Sequence, residues 1–240
     1  MGNIVEVKHF RMDFGKKTVI KDLSFEVKRG EIFGLLGANG SGKTTTLRAL
    51  LGLYVPTSGE LLVDGKPYNP EDSTVTIGYL PEERGLYRKE TVLDNMVYFG
   101  ELKGLKDPKD WSLRYLKRVK LEDKADSRLE KLSGGQQQKV QLGVTIMNNP
   151  KLLILDEPTK GFDPMNRRLL MEIIEELHQK GTAVILITHY MDEVERLCDR
   201  AILLKDGVAH AYGTIKDIRK QHGNKSLEQI FIDVYGGEDE

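Results

Sequence analysis

Apolar residues alternate loosely with polar ones over residues 3 to 13 (Ile4, Val5, Val7, Phe10, Met12) and again over 18 to 28 (Val19, Ile20, Leu23, Phe25, Val27). A period near two predicts two half-buried strands. Lys28-Arg29-Gly30-Glu31 reads as a turn into the apolar run Ile32-Phe33-Gly34-Leu35-Leu36, a buried strand. Residues 45 to 53, rich in Leu and Ala, predict a helix. Residues 59 to 64 predict a strand that reaches a tight turn at Asp64-Gly65. Thr76 to Leu80 predict another strand, stopped by Pro81. The period then lengthens. From Thr91 to about Val119 the spacing of Val92, Met96, Val97, Phe99 and Leu102, then Trp111, Leu113, Leu116 and Val119, predicts two helices separated at Pro108. Ser133 opens a further helix that runs to Asn148.

Leu152-Leu153-Ile154-Leu155 has no polar break, which suits a parallel strand buried on both faces. Leu169, Leu170, Ile173, Ile174 and Leu177 put one apolar face on a helix over 165–180, ended by Gly181. Strand (183–188), helix (191–197) and strand (202–204) follow. A last helix over 226–235 has Ser226 as its N-cap and Leu227, Ile230, Phe231 and Val234 on one face. The tail 236–240 is expected to be loose. The pattern predicts one α/β domain over 1–240. Its core comprises 1–84 and 148–225, with an antiparallel strand-rich N-terminal part, a mixed sheet and an all-helical insertion over 85–147.

Composition narrows the classes. Charged residues make up 30% and the net charge is −1, so no global charge draws the chain to nucleic acid, and no nucleic-acid partner is expected. No apolar run approaches the ~20 residues that span a bilayer. Residues 1–6 lack the basic and apolar regions of a secretory leader. Cys198 is the only cysteine and lies in an apolar pattern, which makes it a packing residue.

The chemistry centres on Gly37-Ala38-Asn39-Gly40-Ser41-Gly42-Lys43-Thr44, which fits G-x-x-x-x-G-K-[ST] between a strand and a helix. Gly37, Gly40 and Gly42 let the backbone curl so that successive amides face an anion, and the following helix aims its positive end at the same place. Lys43 is then placed for the outer phosphates and the Thr44 hydroxyl for Mg²⁺. The bland alternative is a glycine-rich turn. Asp156 and Glu157 leave the carboxyl end of the buried strand, where ligand sites of parallel sheets lie. Asp156 is the candidate Mg²⁺ group and Glu157 the candidate general base, with Pro158 expected to hold Glu157 in extended backbone. The alternative is two acids capping a loop. Ser133-Gly134-Gly135 is a capped helix start left bare enough for an anion.

Together with Leu132-Ser133-Gly134-Gly135-Gln136, these motifs resemble the ATP-binding cassette (ABC) ATPases over nearly the whole chain. The resemblance implies a phosphate-loop nucleoside triphosphatase fold, ATP and Mg²⁺ as ligands, and a head-to-tail homodimer holding nucleotides between the phosphate loop of one chain and the signature of the other. It assigns nucleotide contact to Asn39, Ser41 and Thr45 beside the loop residues above, and places Ser133, Gly135 and Gln136 on the partner's nucleotide. It makes His189 the switch histidine at the γ-phosphate, Asp163 a residue that acts across the dimer, and Phe14 the aromatic that stacks on adenine. Alone, His189 reads as a strand-end histidine, Asp163 as an N-cap before Pro164, and Phe14 as a core phenylalanine.

Two places depart from the family's usual residues. Glu82 stands where glutamine is usual, a carboxylate that accepts but cannot donate when ionised, and one that can approach Mg²⁺. Lys160-Gly161-Phe162 stands before Asp163, where serine or asparagine, glycine and leucine are usual. Residues 79–87 resemble the ATPases of ABC-2-type exporters. The resemblance therefore implies an ATPase subunit on the inner face of a cell membrane that drives a separate integral permease. A non-transport ABC ATPase, acting in cluster assembly or as a switch, is the second reading. A phosphate-loop kinase or GTPase leaves Leu132 to Gln136 unaccounted for.

Overall fold

A computed structural model of the chain describes residues 2–71, 75–83 and 85–236. The tail beyond 236 and Arg84 in the 79–87 segment lie outside the described residues. In chain order the elements are β1 (Asn3–Phe14), β2 (Lys17–Lys28), β3 (Ile32–Leu36), α1 (Lys43–Leu50), β4 (Ser58–Val63), β5 (Ile77–Leu80), α2 (Val92–Leu102), α3 (Pro108–Arg118), α4 (Gly134–Ile146), β6 (Leu152–Asp156), α5 (Pro164–Gln179), β7 (Ala183–Ile187), α6 (Met191–Leu197), β8 (Arg200–Lys205), β9 (Val208–Thr214), α7 (Ile215–Gln221) and α8 (Leu227–Tyr235). Short 3₁₀ turns lie at Glu122–Lys124 and Leu129–Lys131. The contacts divide the chain into two units, Met1–Val75 with His178–Glu240, and Thr76–Leu177.

In the first unit the strands run in the order β4-β1-β2-β9-β8-β3-β7. The N-terminal strands are antiparallel, as the alternating pattern predicts, with Glu6 opposite Glu26 and Val5 opposite Val63. Asp64 (φ 56°) and Gly65 (φ 80°) both take left-handed backbone after β4, and Val63 N–H donates to Lys66 O at 2.8 Å. That is the geometry of a tight hairpin turn. β3 lies between β7 and β8, parallel to both, with Gly34 opposite Leu186 and Ala201. All five of its residues are buried, so the strand needs an apolar residue at every position rather than at alternate ones. A Cβ on Gly34 would meet Val194 Cγ1 at 3.1 Å and Cys198 Sγ at 3.3 Å, so α6 and the residue after it come close to the strand there.

β9 and α7 are not in the predicted elements. β9 buries only Ala211, and its hydrophobic pattern is correspondingly weak. It exists because β8 pairs with it along its length, from Arg200 opposite Thr214 to Lys205 opposite Val208. α7 is seven residues long with one buried side chain, Ile218. Thr214 caps it by accepting from Asp217 N–H at 3.1 Å.

In the second unit β5 and β6 are parallel, with Gly78 opposite Leu153 and Leu80 opposite Leu155. Leu152 to Leu155 are fully buried, worth about 1.5–3 kcal/mol per side chain. A Cβ on Gly78 would lie 2.9 Å from Thr145 O, which lets α4 pack close against β5. The helices use the same device. A Cβ on Gly143 would lie 2.4 Å from the Tyr115 ring, and Tyr115 O–H donates to Lys139 O at 2.8 Å. Pro108 opens α3 and Asp107 caps it, accepting from Asp110 N–H at 3.0 Å.

Candidate functional site

β3 ends at the phosphate loop, so the loop leaves the carboxyl end of a strand flanked by parallel neighbours, the usual place for a ligand in such sheets. Gly37 has φ 153°, and a Cβ there would lie 2.4 Å from Ser41 Oγ and 2.7 Å from Leu204 O. No other residue fits that bend. Lys43 is buried and folds back over the loop, donating to Gly37 O at 2.7 Å and Ala38 O at 3.0 Å. Asn39, Gly40 and Thr44 are exposed, and Thr45 is half-buried.

The start of α1 differs from five other helix starts in the chain, and from the likewise uncapped start of α6, which has Asp192 and Glu193 in its first turn. Thr91, Asp107, Ser133, Thr214 and Ser226 each accept a backbone amide at the head of a helix. Gly42 offers α1 no side-chain cap, and no acid stands in its first turn. Amides at an uncapped helix start need an acceptor. The Ser41 hydroxyl is buried with no hydrogen-bond partner among the described residues. A basic ammonium, an uncapped helix start and an orphaned hydroxyl in one loop fit a polyphosphate and its Mg²⁺.

In the same unit, His189 follows β7, is exposed, and lies with its ring 4.2 Å from that of Tyr190. Phe14 is 45% exposed at the end of β1, edge-on to Tyr54 with centroids 5.4 Å apart. It is therefore not a core residue. One residue near the loop has no signal in the sequence. Ala38 N–H donates to the hydroxyl of Tyr235 at 2.9 Å, across 197 positions of chain.

In the second unit Asp156 is the buried last residue of β6, and Glu157 is half-buried beside it. Glu157 does not take the extended backbone expected of a residue before proline. Its φ is 49°. The physical reason is the reversal off β6, because Lys160 N–H donates to Glu157 O at 3.2 Å and closes a turn with Pro158 in the second position, which proline favours. A left-handed non-glycine residue costs on the order of 1–3 kcal/mol and is typical of functional sites. Glu157 lines a cavity of about 540 Å³ together with Glu82, Arg88, Gln137 and Lys160. Lys160 Nζ lies 2.6 Å from Glu82 Oε1.

Ser133 forms the capping box that its spacing predicts. Its hydroxyl accepts from Gln136 N–H at 3.3 Å, and Gln136 Oε1 accepts from Ser133 N–H at 2.9 Å. Two residues on, a Cβ on Gly135 would lie 3.5 Å from the Phe162 ring, an ordinary van der Waals contact. Asp163 caps α5, accepting from Asn166 N–H at 2.9 Å. Buried Asn95 was not among the expected residues. It accepts from Tyr87 N–H at 2.8 Å and donates to Tyr87 O at 2.9 Å, which fixes the backbone of residues 79–87 at one end.

Comparison with known proteins bears directly on these motifs. A family model described as ABC transporter matches residues 20–160. An uncharacterised ABC transporter ATP-binding protein of Methanocaldococcus jannaschii is 48% identical over 89% of this chain and 79% of the relative. The linearmycin resistance ATP-binding protein of Bacillus subtilis is 36% identical over 95% of this chain and 75% of its own length. A Nod factor export ATP-binding protein of Rhizobium sp. is 38% identical over 95% and 76%. Among solved structures, an ATP-binding subunit of an ABC transporter superposes with a TM-score of 0.88 at 32% identity, covering 96% of this chain and 99% of the other. A dimeric post-hydrolysis ATP-binding cassette bound to ADP and Pi gives 0.77 at 27% identity over 88% of this chain and 98% of the other. The phosphate loop, the paired acids at the end of β6, the capped signature and these likenesses agree, and the chain belongs to the ATP-binding subunits of the ABC transporter family, ATPases that bind ATP and Mg²⁺.

Proposed function

We propose that this chain is the ATPase subunit of an exporter, working as a head-to-tail pair on the inner face of a membrane beneath a separate integral permease. The observation that carries the ATPase reading is the uncapped start of α1 beneath a buried Lys43. The export reading draws on the printed functions of two relatives, linearmycin resistance and Nod factor export. Both names weigh against a non-transport ATPase. Among the described residues no helix is long and apolar enough to cross a membrane. The second unit carries a surface suited to a permease partner. Tyr87, Tyr98 and Phe99 form one aromatic cluster with centroids 5.4 to 5.9 Å apart, and Leu102 beside them is 66% exposed.

In this reading Lys43 neutralises the outer phosphates, and Gly37, Asn39, Gly40, Ser41, Gly42, Thr44 and Thr45 supply the cradle. Thr44 and Asp156 are the Mg²⁺ groups, with Glu82 a further carboxylate for the ion. Mg²⁺ supplies charge neutralisation on the phosphates. Glu157 accepts a proton from the attacking water, and His189 contacts the γ-phosphate. Phe14 stacks on adenine. Ser133, Gly135 and Gln136 present the head of α4 to the partner's nucleotide, and Asp163 acts across the same interface. Residues 85–147 form the helical subdomain that passes motion to the permease.

Replacing Glu157 by Gln tests the mechanism. The expected variant binds ATP as the parent does, turns over at least a hundredfold more slowly, and accumulates as a dimer in ATP. Parent-like turnover in that variant would remove Glu157 from the mechanism. Recovery of a polytopic membrane protein with the tagged chain tests the transport assignment. Cargo uptake into inside-out vesicles, driven by ATP, tests export.

A further inference from the structure

Ala38, the second residue of the phosphate loop, is gripped from both sides. Its carbonyl accepts from Ser41 N–H at 3.2 Å and from Lys43 Nζ at 3.0 Å. Its N–H donates to the hydroxyl of Tyr235, the last residue of α8, at 2.9 Å. That hydroxyl in turn donates to the carbonyl of Leu204 in β8. The Tyr235 oxygen thus ties the phosphate loop to a strand beside β3.

α8 is itself fixed at both ends. Glu195 of α6 accepts from Leu227 N–H at 2.8 Å. Lys205 Nζ donates to Val234 O at 2.8 Å and sits 5.6 Å from the Tyr235 ring centroid. Leu227 and Ile230 are buried between those anchors. The helix is a strap, and its carboxyl end is fastened to the loop.

The bond from Ala38 matters because of what Lys43 must do. In this structure the Lys43 ammonium spends two of its donors on the carbonyls of Gly37 and Ala38. An ammonium has three N–H donors, so contact with more than one phosphate oxygen draws on those two bonds, and the loop loses restraints at the moment it has to hold a shape. A glycine-rich loop pays heavily in entropy for being ordered. A restraint that does not compete with the ligand lowers that cost on binding. The Ala38 N–H, turned toward α8, is such a restraint.

We propose that Tyr235 is a positioning residue for nucleotide binding: its hydroxyl holds the entrance of the phosphate loop in place when Lys43 exchanges backbone carbonyls for phosphate oxygens. The proposal rests on the reading of residues 37–44 as the nucleotide site.

The test compares the parent chain with Tyr235→Phe, which keeps the ring and removes the hydroxyl. ADP affinity is measured by equilibrium titration without Mg²⁺, alongside thermal unfolding without nucleotide and hydrogen exchange at the Ala38 amide. Loss of one hydrogen bond predicts ADP binding weaker by about threefold to tenfold. KM for ATP is expected to rise in step while kcat stays within about twofold. The Ala38 amide is expected to exchange faster, with the unfolding midpoint within a few degrees of the parent's. Equal ADP affinity in the two proteins overturns the proposal, and so does a fall in kcat at unchanged KM. A parent chain that binds no ADP is a different failure, one that removes the nucleotide site itself.

Discussion

Lys160 Nζ lies 2.6 Å from Glu82 Oε1, so two of the residues by which this chain departs from the family it resembles meet in one ion pair. In the proposed nucleotide site the charge of Glu82 alone would oppose phosphate and favour Mg²⁺. With Lys160 against it the pair carries no net charge. The two side chains are 48% and 60% exposed, and a pair this wet adds under about 1 kcal/mol to stability. Its consequence belongs to ligand binding. Lys160→Ala should leave the unfolding midpoint nearly unchanged and weaken the binding of ATP without Mg²⁺ about threefold or more, since the freed carboxylate then meets bare phosphate charge. The double variant Glu82→Gln with Lys160→Ala should return most of that loss. Equilibrium titration of the four proteins without Mg²⁺ checks it, and simple additivity of the two substitutions would break the argument.

Ser133 holds the head of α4 by a reciprocal pair of hydrogen bonds with Gln136. Ser133→Ala should cost about 1 kcal/mol of stability, measured by denaturant unfolding. Ser133→Asn, which can still cap, should recover much of it. If Asn proved no better than Ala, capping would not be the reason serine stands there.

Phe14 is 45% exposed and leans only on Tyr54 among the aromatic residues. Phe14→Ala should therefore be mild for folding. If the ring stacks on adenine, ATP binding weakens by roughly 1–3 kcal/mol while tripolyphosphate binds as before. Equal weakening of both ligands would place the effect in the loop and not in the base.

Cys198 is buried, and burial pushes its thiol well above the usual range, reinforced by the nearby charges of Asp199, Glu193 and Glu31. Thiolate is the reactive form, so the native chain should resist alkylation at pH 8 and react only on unfolding. Mass spectrometry after iodoacetamide, with and without denaturant, reads this directly. Rapid native labelling would show that the α6 end opens far more readily than its packing implies.

Much of the candidate site was legible because its parts are local in sequence. A phosphate loop is one strand, one curl of glycines and one helix, all within residues 32–50. The capping box spans four residues, and the paired acids adjoin the run that buries them. Where expectation failed, longer-range geometry had overruled a neighbour preference. Pro158 argues for extended backbone at Glu157, but the reversal after β6 needs a turn, and the residue adopts φ 49°. The weak pattern of Val208 to Thr214 hides a strand whose hydrogen bonds come from β8.

The sequence by itself determined the elements with strong periodicity, the order of the motifs and the class of ligand, since each depends on backbone preferences and spacing over a few residues. Tertiary structure alone decided that Glu82 faces Lys160 across 78 positions and that Tyr235 reaches Ala38 across 197. No periodicity encodes such pairs. They exist because packing an apolar helix face or closing a turn brings distant backbones within hydrogen-bond reach, and the partner is set by the fold's geometry.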